Sequence, residues 1–320
     1  MQASEFIYAY YFNHDSTAEK IANLHQFDGS RPHWLHFDYT LEQTKIWLEQ
    51  QHELDPVVVD ALLNEETRPR ATPVNDGMLI ALRGVNLAPN SNPEDMVSVR
   101  LWLTKDRVIS TRHRRLLSMA DIDNELASGQ GPATPTQLVV ELTDRLISRM
   151  NHTIENIEDK VFAIEENVLA SKSYALRNDI AGIRRQIIAL RRYLAPQKEA
   201  MMQLMNERLG LFSTNEKIQL RETTDQLTRL IEDLDSLRDR AAVTQEELSS
   251  HLAEQMNNRM YMLSIVAAIF LPLGFLTGLL GVNVGGIPGA DNGYAFALFN
   301  LLLVLIISLQ VWIFKKNNWF

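Results

Sequence analysis

Apolar residues recur at helical spacing through the second half of the chain. One stripe begins near residue 134, and a second follows Ser171, Lys172 and Ser173. Such spacing places the apolar side chains on one helix face. The two stripes therefore predict an antiparallel helix pair over residues 134–212. The first stripe comprises Val139, Leu142, Leu146, Met150, Ile154, Ile157, Val161, Ile164 and Val168, and the second Leu176, Ile180, Ile183, Ile187, Leu190 and Leu194.

A third helix is predicted to begin at Ser213, because Glu216 follows at the spacing of a capping box. No Pro or Gly interrupts its pattern before Pro272. We therefore predict one helix over residues 213–281, about 100 Å long, in which a stalk continues into a first membrane span. A helix of that length needs neighbours along it. Its apolar stripe comprises Leu220, Leu227, Leu230, Leu234, Leu237, Ala241, Leu248 and Leu252.

Two uncharged runs near the C-terminus predict a membrane hairpin. The apolar core from Met262 to Leu280 spans about 28 Å as a helix, close to the thickness of the bilayer hydrocarbon. A second run from Asn292 to Phe314 closes on Lys315 and Lys316, and a glycine-rich turn lies between the runs. The predicted segments after the first span are an external loop over 282–293, a second span over 294–314 and a basic tail over 315–320.

Basic residues at the ends of the hairpin predict its orientation. Arg259 precedes the first span and Lys315 and Lys316 follow the second, whereas the turn contains no Lys or Arg. The positive-inside rule then places both termini in the cytoplasm and the turn outside. The first residues lack a basic region followed by an apolar core, so no cleavable signal is predicted.

Residues 1–133 have the pattern of a mixed cytoplasmic domain. The stretches Phe6–Phe12, Met78–Val85 and Met96–Ser110 are rich in aromatic and branched residues and predict strands. Leu41–Gln50 and Pro56–Glu65 predict short helices. The expected fold class is an α+β cytoplasmic domain with a long helical stalk and two transmembrane helices.

Composition and charge exclude several functions. The net charge of −9 disfavours nucleic-acid binding, so we interpret Arg112–Arg115 as an exposed basic turn. The absence of cysteine excludes disulfides and thiolate metal sites. No phosphate-binding loop, nucleophile elbow or metalloprotease motif is present, which disfavours an enzyme and a nucleotide partner. His33 and His36 would face opposite sides of a strand, so a shared metal ion is not expected.

One face of the first span is smaller and more polar than the other. We call it the candidate pore face; it could line a pore built from several copies, or let helices pack closely, and the pattern leaves both readings open. Ile265, Ile269, Phe270, Leu273 and Leu276 mark the opposite side. The candidate pore face comprises Asn257, Met260, Leu263, Ser264, Ala267, Leu271, Gly274 and Gly278.

The end of this span resembles the CorA family of metal transporters. That family carries a Gly-Met-Asn hallmark after its pore helix, matched here by Gly281, Val282 and Asn283. The valine and the glycines that follow resemble the zinc-transporting ZntB branch, and further matching segments span the chain. These segments are Trp34–Tyr39, Thr67–Arg70, Arg191–Gln197 and Lys315–Phe320.

The resemblance implies a funnel-shaped homopentamer in a bacterial inner membrane, with the first helices lining the pore and the second helices around them. It implies that Gly281, Val282 and Asn283 form the selectivity filter at the external mouth and that Asn257 lies at the inner end. Hydrophobic constrictions would fall at Met260, at Leu263 or Ser264, and at Leu271. The valine departs from the family pattern and leaves the ion preference open.

The predicted spans contain no His, Cys or charged side chain, so a dehydrated zinc cage is not expected there. Zn²⁺ would pass largely hydrated, as a transported ion rather than a cofactor. The leading hypothesis is zinc uptake coupled to protons, with Glu247, His251, Glu254 and the loop residue Asp291 as candidate metal or proton contacts. The alternatives are a passive channel of the same family for Mg²⁺, Co²⁺ or Ni²⁺, and a membrane-anchored sensor or scaffold.

Overall fold

The computed structural model describes residues 6–13, 17–23, 27–65, 67–170, 175–281 and 292–317. The chain divides into two compact units, Met1–Glu246 and Glu247–Phe320. The strands are β1 (Tyr8–Phe12), β2 (Ala18–Lys20), β3 (His33–Asp38), β4 (Arg70–Val74), β5 (Gly77–Gly84), β6 (Val97–Leu103) and β7 (Arg107–Arg112). The helices are α1 (Glu42–Gln50), α2 (Pro56–Leu63), α3 (Leu117–Ala127), α4 (Pro135–Ala170), α5 (Leu176–Met205), α6 (Thr214–Leu280) and α7 (Ala295–Lys316).

The seven strands among the described residues form one mixed sheet in the first unit, in the order β2-β1-β3-β7-β6-β5-β4. β3 and β7 run parallel, and the other neighbouring strands are antiparallel. The central strands are buried at nearly every position because both faces of the sheet are covered. One face packs with α1 and α2 around Leu35 and Trp102, and the other joins a larger core that includes Trp34, Leu101 and the long helices.

The predicted helix stripes are confirmed as core positions, except that Ile164 and Leu176 are only partly buried. Leu142 in α4, Ile187 in α5 and Leu227 in α6 are each 0% exposed. Polar contacts fix the directions of the helices. Thr136 and Glu165 of α4 bond to Glu216 and Arg240 of α6, which requires the two helices to run parallel. Arg191 of α5 pairs with Asp235 of α6 at 2.6 Å, and Arg184 bonds to Gln245, so α5 runs antiparallel to α6.

The capping box at the start of α6 is confirmed. The Ser213 backbone N–H donates to Glu216 Oε2 at 2.7 Å, and the Glu216 N–H donates to Ser213 Oγ at 3.3 Å. These bonds satisfy donors that a helix start leaves without intrahelical partners. The helix then continues without a break for 67 residues, as its uninterrupted pattern predicted.

Two predictions for the first unit were incomplete. The stretch Met96–Ser110 contains two strands, β6 and β7, because the chain turns at residues 104–106. Helix α3 begins at Leu117, before the point where the sequence indicated helical structure. Both errors concern short segments, in which the local sequence pattern says less about the structure than the contacts with the rest of the domain.

The interpretation of Arg112–Arg115 as an exposed turn was wrong for its first residue. Arg112 ends β7, is only 9% exposed, and donates from Nε to His36 Nε2 at 3.0 Å. Burial and the Arg112 charge hold the pKa of His36 well below its usual value, so its neutral ring can accept this bond. His33 instead contacts the Arg31 carbonyl oxygen at 2.7 Å, and the two histidines share no partner in the described structure.

Candidate functional site

Two helices meet the length and hydropathy required for a membrane span. The most apolar 18-residue stretches have mean hydropathies of 2.3 in α6 and 2.4 in α7, and neither is buried within the chain. A soluble helix of this composition would bury its apolar surface. The exposed apolar surface of these two helices therefore needs lipid or another protein around it.

Within the second unit, α7 covers one side of α6. The partly covered positions of each helix recur every three or four residues, as expected for a packed seam. On α6 these positions are Ile265, Ala268, Ile269, Pro272, Leu273 and Leu276, and on α7 they are Ala295, Phe299, Leu303, Ile306, Gln310 and Phe314. Phe270, which the sequence grouped with this side, is 67% exposed and lies about 20° around α6 from Leu263, at the edge of the candidate pore face.

The candidate pore face lies on the other side of α6. At about 100° per residue, its centre is nearly opposite the seam with α7. Every member of the face is exposed in the single chain, including Met260 at 64%, Leu263 at 70% and Leu271 at 74%. Asn257, Ser264 and Ala267 belong to the same exposed side. The candidate pore face is thus free within the single chain to contact water, lipid or another copy.

The glycines of this face have no packing role within one chain. A Cβ atom added at Gly274 or Gly278 would meet no atom within 4 Å. By contrast, a Cβ atom at Gly281 would lie 2.8 Å from the Thr277 carbonyl oxygen, so a side chain there would force the helix end to shift. The small size of Gly274 and Gly278 leaves room for another helix or for a water-filled space.

Polar side chains in the spans bond to their own helices. Ser264 Oγ donates to the Met260 carbonyl oxygen at 2.9 Å, and Thr277 Oγ1 donates to the Leu273 carbonyl oxygen at 2.9 Å. These bonds satisfy the hydroxyl donors without water, as a bilayer demands. The oxygen of Ser264 keeps lone pairs on the exposed side, where a water molecule can donate to it.

The charged candidates are only partly brought together. His251 Nδ1 and Glu254 Oε2 lie 3.9 Å apart, and Glu247 is exposed one turn earlier. No group of three His, Asp or Glu side chains able to hold a metal ion occurs among the described residues. Val282, Asn283 and Asp291 lie outside the described ranges.

One polar contact in the seam was missed from the sequence. Gln310 Nε2 of α7 donates to the Ala268 carbonyl oxygen of α6 at 3.3 Å. This carbonyl lacks its usual helical donor, because the residue four positions later is Pro272, which has no N–H. A glutamine in an apolar span, together with a proline in its neighbour, is the signal that could have revealed the contact.

Known proteins match this chain over nearly its whole length. A family model described as "CorA-like Mg2+ transporter protein" matches residues 29–316. The zinc transport protein ZntB of Yersinia enterocolitica is 38% identical over 100% of this chain and 97% of its own length. The divalent cation transporter CmaX of Pseudomonas aeruginosa is 40% identical over 89% of this chain and 87% of its own. A solved structure of full-length CmaX is 37% identical, covers 99% of each chain and has a TM-score of 0.86.

Proposed function

This chain belongs to the CorA family of ion transporters, and from that premise we propose that it carries zinc, largely hydrated, through a central pore built from several copies of itself. The family assignment made from the sequence is confirmed, as is the α+β fold with a long helix and two apolar helices. The family transports divalent cations, and its members are transporters rather than enzymes. The sensor or scaffold alternative has no comparable support.

One observation carries the pore proposal: α7 covers the side of α6 opposite the candidate pore face. If copies surround an axis with α7 outward, the small and polar positions of α6 face that axis. The glycines Gly274 and Gly278 would then keep the passage wide enough for a hydrated ion. We propose a homopentamer, the assembly that the family resemblance implies, with lipid against α7.

The zinc assignment is supported by the ZntB relatives of similar length. The chemistry of the spans sets the manner of passage. Their described residues offer hydroxyl, amide and backbone oxygens but no imidazole, thiolate or carboxylate, which are the ligands that hold zinc tightly. Weak contacts through a water shell allow the ion to leave as readily as it enters. In this proposal Gly281, Val282 and Asn283 form the external filter and Asn257 the inner ring.

Topology and coupling complete the proposal. The basic residues flanking the hairpin support an orientation with both termini in the cytoplasm, and we infer that the membrane is the inner membrane of a bacterial cell. Uptake driven by protons requires a group that exchanges them. The His251–Glu254 pair and Asp291 are the candidates, since the described parts of the spans contain no ionisable relay. The competing mechanism is passive flux of Mg²⁺, Co²⁺ or Ni²⁺ through the same pore.

Purified protein in liposomes that contain a zinc-sensitive dye tests the proposal. We expect zinc entry that increases with an inward proton gradient. Zinc entry at a rate that does not change with the proton gradient would favour the passive mechanism. If no divalent metal enters the liposomes, transport through the pore is refuted.

Neighbouring asparagines provide a matched test of the pore face. Asn257→Ala and Asn283→Ala should each change the zinc flux or the ranking among metals by about tenfold, the effect of losing one ring of polar contacts. Asn258→Ala is the control, because Asn258 is also exposed but lies about 100° away from Asn257 around α6. Equal effects at Asn257 and Asn258 would contradict the assigned face.

A further inference from the structure

The first unit contains a polar cleft that the transport proposal leaves unused. Its volume is about 290 Å³, near the lower end of the range typical of small-molecule sites. The cleft opens beside β6 and α5, and its walls carry arginine and carboxylate side chains together with two tyrosines. The charged and aromatic lining residues are Tyr39, Glu65, Arg83, Glu94, Asp95, His113, Arg114, Arg192 and Tyr193.

A buried arginine lies directly behind the wall of this cleft. Arg100 is 1% exposed, and it projects from the same face of β6 as the cleft residue Ser98, since alternate residues of a strand share a face. Its guanidinium carbon lies 4.4 Å from the Tyr39 ring centre, and Nη2 donates to the Glu65 carbonyl oxygen at 2.9 Å. Tyr39 and Glu65 both line the cleft, so the guanidinium lies behind the layer that these two residues form.

Two donor atoms of Arg100 have no hydrogen-bond partner in the described structure. These atoms, Nε and Nη1, are both buried. Buried N–H donors without acceptors are costly, because they lose their hydration without gaining an equivalent partner. The planar fork of arginine matches the oxygen pairs of carboxylate and phosphate groups. The missing partner therefore has the chemistry of a small anion.

Side-chain contacts connect Arg83, Arg192 and Tyr193 at the wall of the cleft. The Tyr193 ring lies between two guanidinium groups, with the Arg83 carbon at 4.2 Å and the Arg192 carbon at 4.7 Å from its centre. Arg192 Nη2 also donates to the Tyr193 hydroxyl at 2.7 Å. The Arg83 N–H donates to Gln197 Oε1 at 2.7 Å, which ties β5 to α5. Pre-positioned arginines lower the ordering cost of binding an anion.

Three matching segments noted in the sequence converge here. Tyr39 ends the first, the Thr67 carbonyl oxygen of the second accepts from Arg83 at 2.9 Å, and Arg192 and Tyr193 belong to the third. Glu94 already accepts a bond from Gln186 at 2.9 Å, so one carboxylate of the wall is engaged. Since the described residues form no metal-holding acidic group, a cation is not the favoured occupant.

We propose that this cleft binds a compact anion that carries a phosphate or carboxylate group, held by Arg114 and Arg192 at the wall, with the buried charge of Arg100 behind them. The anion adds negative charge near Arg100, whose Nε and Nη1 have no acceptor among the described residues. The proposal concerns the first unit alone, and it does not depend on which metal the protein transports.

Titration calorimetry on the full chain in detergent tests this proposal, with inorganic phosphate and succinate as separate probes at constant ionic strength. We expect saturable binding of at least one probe; the tighter one distinguishes a phosphate ligand from a carboxylate ligand. Arg114→Gln and Arg192→Gln should each weaken binding by about tenfold, the effect of losing one charge-assisted hydrogen bond. Arg208→Gln, an exposed arginine outside the cleft, is the control and should bind as the parent does.

Arg100→Lys tests the buried group, since it keeps the charge and loses the planar fork. We expect at least a tenfold loss of affinity with an unchanged circular dichroism spectrum. If this variant does not fold, the two wall variants still decide. The proposal is overturned if neither probe binds saturably, or if Arg114→Gln and Arg192→Gln bind as tightly as the parent. Because the readout is binding and not metal flux, its failure would leave the transport proposal intact.

Discussion

The two units of this protein stabilise their helices in different ways. In Met1–Glu246, apolar side chains are buried and charged ones are paired. Arg145 there bonds to both Glu125 and Glu141, for example. In Glu247–Phe320 the large apolar side chains are exposed, such as Met262 at 69% and Phe296 at 78%. Its hydroxyl groups bond to the helix that carries them. The first pattern is typical of a protein in water, and the second of a protein in lipid.

Helix α6 contains both patterns in one element. Leu227 is 0% exposed and Leu271 is 74% exposed, although the same helix carries both. The exposure of Leu227 reports packing within one chain. The exposure of Leu271 reports a surface completed by lipid or by another copy. Fractional exposure thus has a different meaning in each unit, and the following experiments test that difference.

A leucine-to-alanine change should show the largest difference in effect on stability between the two units. Leu227→Ala should lower the free energy of unfolding by about 2–5 kcal/mol, because it opens a cavity in a packed core. Leu271→Ala removes no contact of that kind within the chain and should change the free energy of unfolding of the separated subunit little. Chemical unfolding followed by circular dichroism, with the full chain in detergent, measures both. A loss of several kcal/mol from Leu271→Ala in single subunits would contradict the comparison.

Glu207 should make the stability of the first unit depend on pH. Its buried carboxylate lies 3.0 Å from Lys217 Nζ. Burial alone would raise the pKa of Glu207, but the bonds from Lys217 and from the Leu211 and Phe212 backbone N–H groups outweigh it, and the pKa lies below its usual value. Glu207→Gln should therefore cost about 1–3 kcal/mol at neutral pH, the effect of losing a hydrogen bond to a charged group.

The sign of the pH effect follows from the lowered pKa. The stabilisation by Glu207 is present above the unfolded carboxyl pKa of about 4.3 and is lost as the pH falls through the folded value. The difference in the free energy of unfolding between the parent and Glu207→Gln should then be constant from roughly pH 6 to roughly pH 8. It should disappear below about pH 4. Urea unfolding at several pH values measures it. A difference that persists at the lowest pH would assign the effect to packing instead.

Local signals made most of the fold predictable. The capping box at Ser213 and the heptad-like stripes involve residues close in sequence, so their pattern is sufficient. The contacts that were missed join distant positions: Arg112 to His36 across 76 residues, and Arg83 to Gln197 across 114. Pairing of this kind depends on the strand order, which no local pattern specifies. Within the site, the spacing predicted the exposed face of α6 and the resemblance implied a second helix outside it, whereas the Gln310 contact was not predicted.

The seam between α6 and α7 should show the smallest effect and the most specific one. Pro272 leaves the Ala268 carbonyl without its helical donor, and Gln310 supplies one from α7. Gln310→Leu should cost about 0.6–1.5 kcal/mol, the range measured for hydrogen bonds between membrane helices and in proteins generally. Pro272→Ala restores an N–H four residues after Ala268, so the same glutamine change made in that background should cost clearly less. A double-mutant cycle of unfolding in detergent measures the coupling. Equal costs in the two backgrounds would show that Gln310 contributes by packing alone, and that the polar contact does not compensate for the proline.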